Sequence, residues 1–125
     1  GAFPVALSCC PRQPVSMEEA SHIETAVRAA AVRRNLFLPH AVRQMSRPDR
    51  MISPEEIRAV LFDGNVIEDY ADDPRGHSCL LLGYGHDCRP LHVVCSPRKE
   101  YVAVVTAYLP SPRHWDADGR RRLRR

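Results

Sequence analysis

No stretch of this 125-residue sequence approaches the ~20 apolar residues that a helical membrane span requires. No C-x-x-C pair occurs, and the six histidines form no H-x-x-x-H pair. Ligand spacing for a structural metal is therefore missing, and neither a metal nor another cofactor is expected. The five cysteines are odd in number, and Cys9 and Cys10 are adjacent. That is not a disulfide framework, and it suits a reducing cytosol. A cytoplasmic location without membrane contact is the expectation. The apolar run Ala2 to Leu7 is too short, and lacks the basic start, for a secretory signal. Internal repeats are absent.

What is present fits one soluble domain with a modest core. Charge is unevenly placed. Of 18 basic residues, five are Arg120, Arg121, Arg122, Arg124 and Arg125, and no acid interrupts them. The rest of the chain is slightly acidic. Such a block reads as a solvated basic tail over 117–125, or as an anchor for nucleic-acid phosphates. Residues 1–15 hold three prolines and no period, and read as a flexible leader, with Met17 a candidate native start. One domain, 16–116, lies between.

Helix signals come first. Ser16 with Glu19 is a capping box, and Ile23, Val27, Ala30 and Ala31 then mark one apolar face to about Arg34. Leu36-Phe37-Leu38 reads as an apolar link, and Pro39 suits the first turn of a short second helix. Ser53-Pro54-Glu55-Glu56 is the strongest local signal in the chain, and it opens a helix with Ile57, Val60 and Leu61 as its buried stripe. Gly64 is placed to end that helix in a left-handed conformation.

Four short runs rich in Val, Ile, Leu and Tyr follow, near 65–70, 78–85, 89–95 and 101–109. Turn signals at Asp73 to Gly76, Gly85 to Asp87 and Ser96-Pro97 separate them. Connections this short require antiparallel neighbours. Leu80 to Leu82 and Val102 to Val105 are apolar on both faces, which predicts interior strands. Cys79 and Cys95 could pair across the central hairpin or remain buried thiols.

Several motifs occur in a fixed order. They are His40-Ala41 with Met45, Ile52-Ser53, Gly64 to Tyr70, Ser78 to Gly83, Arg89 to Val94, and Val105 to Tyr108. Together they cover about residues 36–115 and resemble a bacterial family known only as domain of unknown function 4258, grouped with the RelE/ParE-like toxins. The resemblance implies an α+β fold, with two or three N-terminal helices packed on a four-stranded antiparallel sheet of RelE-like type. It further implies a toxin-type, metal-independent ribonuclease of a toxin–antitoxin-like system, or an inactive relative. Its partners would be RNA or the ribosome and a small antitoxin; a homodimer is a separate expectation. The chain departs from the family's H-A-x-x-R-M pattern, with Gln44 in the arginine's place and the arginine at Arg43.

Metal-free RNA cleavage needs a base for the 2′-hydroxyl, an acid for the leaving oxygen and cations for the phosphorane. His92, Tyr108 and His40 are the candidate acid–base groups. Arg43, Arg89, Arg50 and Thr106 are the candidate phosphate- or RNA-binding groups. Each has a plainer alternative: His92 as a hydrogen-bonded strand histidine, Tyr108 as an edge aromatic, and His40 as a helix-end residue. The acidic run Glu68, Asp69, Asp72 and Asp73 fits a strand and a turn better than a magnesium site. The rival class is a non-catalytic protein-interaction module. Convergence of His40, Arg43, His92 and Tyr108 on one open cleft would separate the two.

Overall fold

The computed structural model describes residues 17–123, with side chains from residue 22 onward. Helix α1 (Met17–Arg33) buries Ile23, Val27, Ala30 and Ala31, the four residues at helical spacing. Its expected Ser16 cap and the leader 1–15 lie outside the described residues. Helix α2 (Pro39–Met45) begins on Pro39 and buries Ala41 and Met45. Helix α3 (Pro54–Asp63) forms both halves of the Ser53 capping box. The Glu56 N–H donates to Ser53 Oγ at 3.1 Å, and the Ser53 N–H donates to Glu56 Oε1 at 3.0 Å.

Gly64 ends α3, but not through the expected left-handed turn. Its backbone is extended, with φ −74° and ψ 166°. Glycine is required there for space: a Cβ would stand 2.6 Å from the Val60 carbonyl oxygen. The constraint comes from the close approach of α3 to the sheet, which a local turn rule does not register.

Strands β1 (Asn35–Phe37), β2 (Asn65–Tyr70), β3 (Ser78–Tyr84), β4 (Pro90–Pro97) and β5 (Val102–Tyr108) form one sheet in the order β1-β5-β4-β3-β2. The last four are the antiparallel meander read from the turn signals. The expectation of a four-stranded, purely antiparallel sheet needs correction. β1, read as a link, pairs parallel to β5 and makes the sheet five-stranded and mixed. Three residues carry no period that would mark a strand. They become one because the Val102 N–H reaches the Arg34 carbonyl at 2.9 Å and the Leu38 N–H reaches the Val104 carbonyl at 3.1 Å. This added edge is also why β5, like β3, is interior and apolar on both faces.

The helices cover one face of the sheet. Leu81, Leu91, Val93, Val102, Val104 and Ala107 meet α1, α2 and α3 there. The other face carries Ile67, Leu80 and Leu82, and Trp115 covers them. The described part of the C-terminal segment, to residue 123, folds back against the sheet. Residues 115–122 turn back on themselves, with Trp115 bridged to Arg122 and Gly119 at φ 72°. The Asp116 N–H donates to the Arg121 carbonyl at 2.9 Å, and the Leu123 N–H to the His114 carbonyl at 2.8 Å. Arg122 lies over the Trp115 ring at 4.8 Å and pairs with Glu68 at 2.8 Å. An arginine block reads as solvated when its partners are distant in sequence, and Glu68 is.

Cys79 and Cys95 are free, buried and directly opposed on β3 and β4, with sulfurs 4.0 Å apart. The hydrogen bond to Cys95, then burial, push the Cys79 thiol far up, so it stays protonated. Among the described residues no helix is long and apolar enough to cross a membrane.

Trp115 is 4 % exposed and is the main apolar cover of the second face. Trp115→Ala should lower the unfolding free energy by about 3–5 kcal/mol in urea denaturation. A loss below about 1 kcal/mol would show that the C-terminal segment is not part of the cooperative unit.

Candidate functional site

The seven candidate residues fall in three places. The first is the corner where the α2–α3 loop, the start of α3 and the β3–β4 turn meet. Arg89 lies just before β4, and its guanidinium bonds both oxygens of Glu56, at 2.9 and 3.1 Å. Its remaining donors reach the Arg50 carbonyl at 2.8 Å and the Met51 carbonyl at 3.1 Å. Glu56 is 3 % exposed. Burial alone would raise its pKa, but the Arg89 hydrogen bonds and the Ser53 and His86 N–H groups outweigh it and bring the carboxyl to about 2. Arg50 donates to Gln44 Oε1 at 2.9 Å and to the Ala107 carbonyl at 3.4 Å. Arg89 thus serves the fold with the donors a phosphate would need, and Arg50 commits one of its guanidinium nitrogens to the fold.

The second place is the sheet face beneath Trp115. A bulge between Val94 and Cys95 sets His92 directly opposite Tyr108 and Val94 opposite Thr106. Cross-strand partners share a face, so His92, Tyr108 and Thr106 lie on one side of the sheet. His92 has no exposed surface. Its ring meets Trp115 edge-on at 4.4 Å and Tyr108 at 5.3 Å. Nε2 lies 2.6 Å from the Gly119 carbonyl oxygen, which can only accept, so Nε2 carries the proton. Nδ1 then accepts from the Tyr108 hydroxyl at 3.4 Å. Burial brings the His92 pKa down to about 4, the Gly119 bond opposing it, and the ring is neutral near pH 7. Burial also raises the Tyr108 phenol. A general base must reach the proton it removes. His92 is sealed from solvent, with both ring nitrogens engaged.

The third place is the solvent-facing side of α2. His40 and Arg43 are exposed there, one helical turn apart. Ala41 and Met45 of the same helix enter the core on the helix face of the sheet. His92 and Tyr108 lie on the opposite face. His40 and Arg43 therefore do not share one cleft with His92 and Tyr108, the arrangement that the enzyme reading would require. What the structure brings together is His92 with Tyr108, and Arg89 with the Arg50 backbone.

Sequence reading missed Glu56 as the partner of Arg89, although the capping box had already singled it out. Trp115 was expected to pack the C-terminal segment onto the core, but its place over His92, with Gly119 and Arg122, was missed. No spacing rule could link these, because they are far from His92 in the chain. Within the acidic run Glu68 reaches across to Arg122, whereas Asp69 and Asp73 make contacts close in sequence. Asp73 is held well below the usual carboxylate range by Arg75, with help from Ser78, and Asp69 bonds His77. Among the described residues no group of His, Cys, Asp and Glu has the arrangement of a metal site.

The family model described as "Domain of unknown function (DUF4258)" matches residues 37–109, more than half of the chain. The matched span holds all seven candidates, but Trp115, Gly119 and Arg122 lie beyond it. No curated protein and no solved structure matches the chain.

Two buried groups give two acid-sensitive windows. His92 titrates near 4 in the fold against an ordinary 6.5. The unfolded chain therefore binds this proton first, and stability falls as pH drops from about 6.5 to about 4. His92→Phe should flatten that part of the stability–pH curve in urea denaturation at a series of pH values. Glu56 titrates near 2 against an ordinary 4.5, so its contribution is full above about 4.5 and is lost toward about 2. Glu56→Gln should remove that second slope and cost about 3 kcal/mol at pH 7, because Arg89 is left without its counter-charge. An unchanged curve in either variant would refute its assignment.

Proposed function

The chain belongs to the family described as domain of unknown function (DUF4258), and on that premise we propose that it is a non-catalytic protein-interaction module built on a RelE-like sheet. The observation that carries this reading is the state of His92. A neutral ring, fully buried and bonded on both nitrogens, supports a structural role and not proton transfer. Arg89 points the same way, since its donors serve Glu56 and two backbone carbonyls. Cleavage of RNA without metal needs an acid, a base and a cation around one phosphate. The described groups lie in three places.

The exposed pair His40 and Arg43 keeps the second reading in play, a toxin-type ribonuclease acting on free or ribosome-bound RNA. It would need a second acid–base group at the α2 surface. A small antitoxin, the partner implied by the family resemblance, is a protein partner of the kind the first reading requires.

Purified protein incubated with free RNA and with translating ribosomes should leave the RNA intact. Induction in a bacterial host should leave growth unchanged. The reading fails if RNA is cut to 2′,3′-cyclic phosphate ends in the presence of EDTA and His40→Gln lowers the rate about 10²–10⁴-fold. That result would place a ribonuclease centre on α2.

A further inference from the structure

An edge strand with free backbone groups attracts another strand unless something covers or repels it. β1 is such an edge. In its pairing with β5, the Arg34 carbonyl and the Leu38 N–H point inward. Residues alternate along a strand, so the backbone groups of Asn35 and Phe37 point away from the sheet. Among the described residues none of these outward groups has a hydrogen-bond partner. Leu36 is 39 % exposed at the same edge, and Val42 of α2 is 47 % exposed. The Asn35 Oδ1 is buried without a hydrogen bond.

The chain stretch that contains this edge carries charge of one sign. No Asp or Glu occurs between Glu24 and Asp49, whereas Arg28, Arg33, Arg34, Arg43 and Arg47 all do. Arg33 is neutralised by Glu100 at 2.9 Å, and Arg47 by Asp49 at 3.3 Å. Arg34, His40 and Arg43 are exposed and form no ion pair among the described residues. Arg34 precedes β1, and His40 and Arg43 follow it on α2.

We propose that the β1 edge is a docking site for an extended acidic segment of a partner protein, which adds a strand beside Asn35–Phe37 and sets its carboxylates against Arg34, His40 and Arg43. This rests on the interaction-module reading and names its partner class. The main chain of the guest supplies hydrogen bonds to Asn35 and Phe37, and an apolar guest residue covers Leu36. Three strand residues give limited main-chain affinity, so charge complementarity selects the guest and speeds its arrival. RNA is the less suitable ligand. The edge offers backbone donors and acceptors in strand spacing and no exposed aromatic platform for base stacking.

The probe is a fluorescein-labelled peptide of about seven residues alternating Glu and Val, titrated with the full chain and read by anisotropy. A Lys/Val peptide and an RNA oligonucleotide serve as comparisons. The Glu/Val peptide should bind, more weakly as salt rises, and the Lys/Val peptide should not. Arg34→Glu combined with Arg43→Glu should weaken binding about tenfold or more. Asn35→Pro removes one outward N–H without touching the bonds to β5, and should weaken binding as well. Tm is measured for each variant, and if Asn35→Pro lowers it, the double charge reversal at exposed positions decides. The proposal is overturned if the Glu/Val peptide does not bind, if the double reversal leaves binding unchanged, or if RNA competes with the peptide and binds the edge more tightly. None of these readouts depends on RNA cleavage. A failure here with RNA left intact removes the edge site and leaves the interaction-module reading standing.

Discussion

The carboxylate of Glu56 holds three separate parts of the chain in one place. It caps α3 through Ser53, receives the His86 N–H at 2.8 Å, and is gripped by Arg89. A Cβ on Gly85 would lie 2.1 Å from its Oε2, so the turn must carry glycine to let the carboxylate in. Arg89 extends the same network to the carbonyls of Arg50 and Met51, where the backbone takes a positive φ of 50° at Met51. A buried ion pair of this kind gives little net stability against an apolar replacement, but losing one partner is costly. Its effect is to fix geometry. The α2–α3 loop, the start of α3 and the β3–β4 turn cannot shift independently while it stands.

A second constraint acts on the far side of the sheet. β3 and β5 are apolar on both faces, so the face away from the helices has to be covered. Trp115 and the turn through Gly119 provide that cover, and His92 is closed beneath them. The neutral imidazole is the form that such a site tolerates, since a buried charge without a counter-ion would be expelled or neutralised. The Gly119 carbonyl and the Tyr108 hydroxyl satisfy its two nitrogens. His92 therefore reads as a pin between sheet and C-terminal segment, and the need for cover explains why a histidine within a resemblance-bearing motif lies beyond the reach of a substrate.

Among the polar groups without an ion pair in the described residues are Arg34, His40 and Arg43, which flank β1 in the chain. The acid-free stretch from Thr25 to Pro48 leaves Arg34, His40 and Arg43 exposed on either side of β1, whose outward backbone groups have no hydrogen-bond partner among the described residues.

The sequence by itself determined the local pieces. The 3.6-residue spacing of Ile23, Val27, Ala30 and Ala31, the Ser53 capping box and the turn signals between the four apolar runs each act within a few residues. They were legible for that reason, and so were the α+β class and the antiparallel meander. Tertiary structure decided everything that joins distant residues. Leu36 and its neighbours became a strand because β5 offered a partner. Gly64 and Gly85 were required by the atoms of Val60 and Glu56 that approach them. Arg122 was held by Trp115 and Glu68, and His92 was sealed by a segment that begins well past its own strand. Local rules read propensity and spacing. Whether a histidine is a base or a buried pin depends on solvent access, and solvent access is set by which parts of the chain meet in three dimensions.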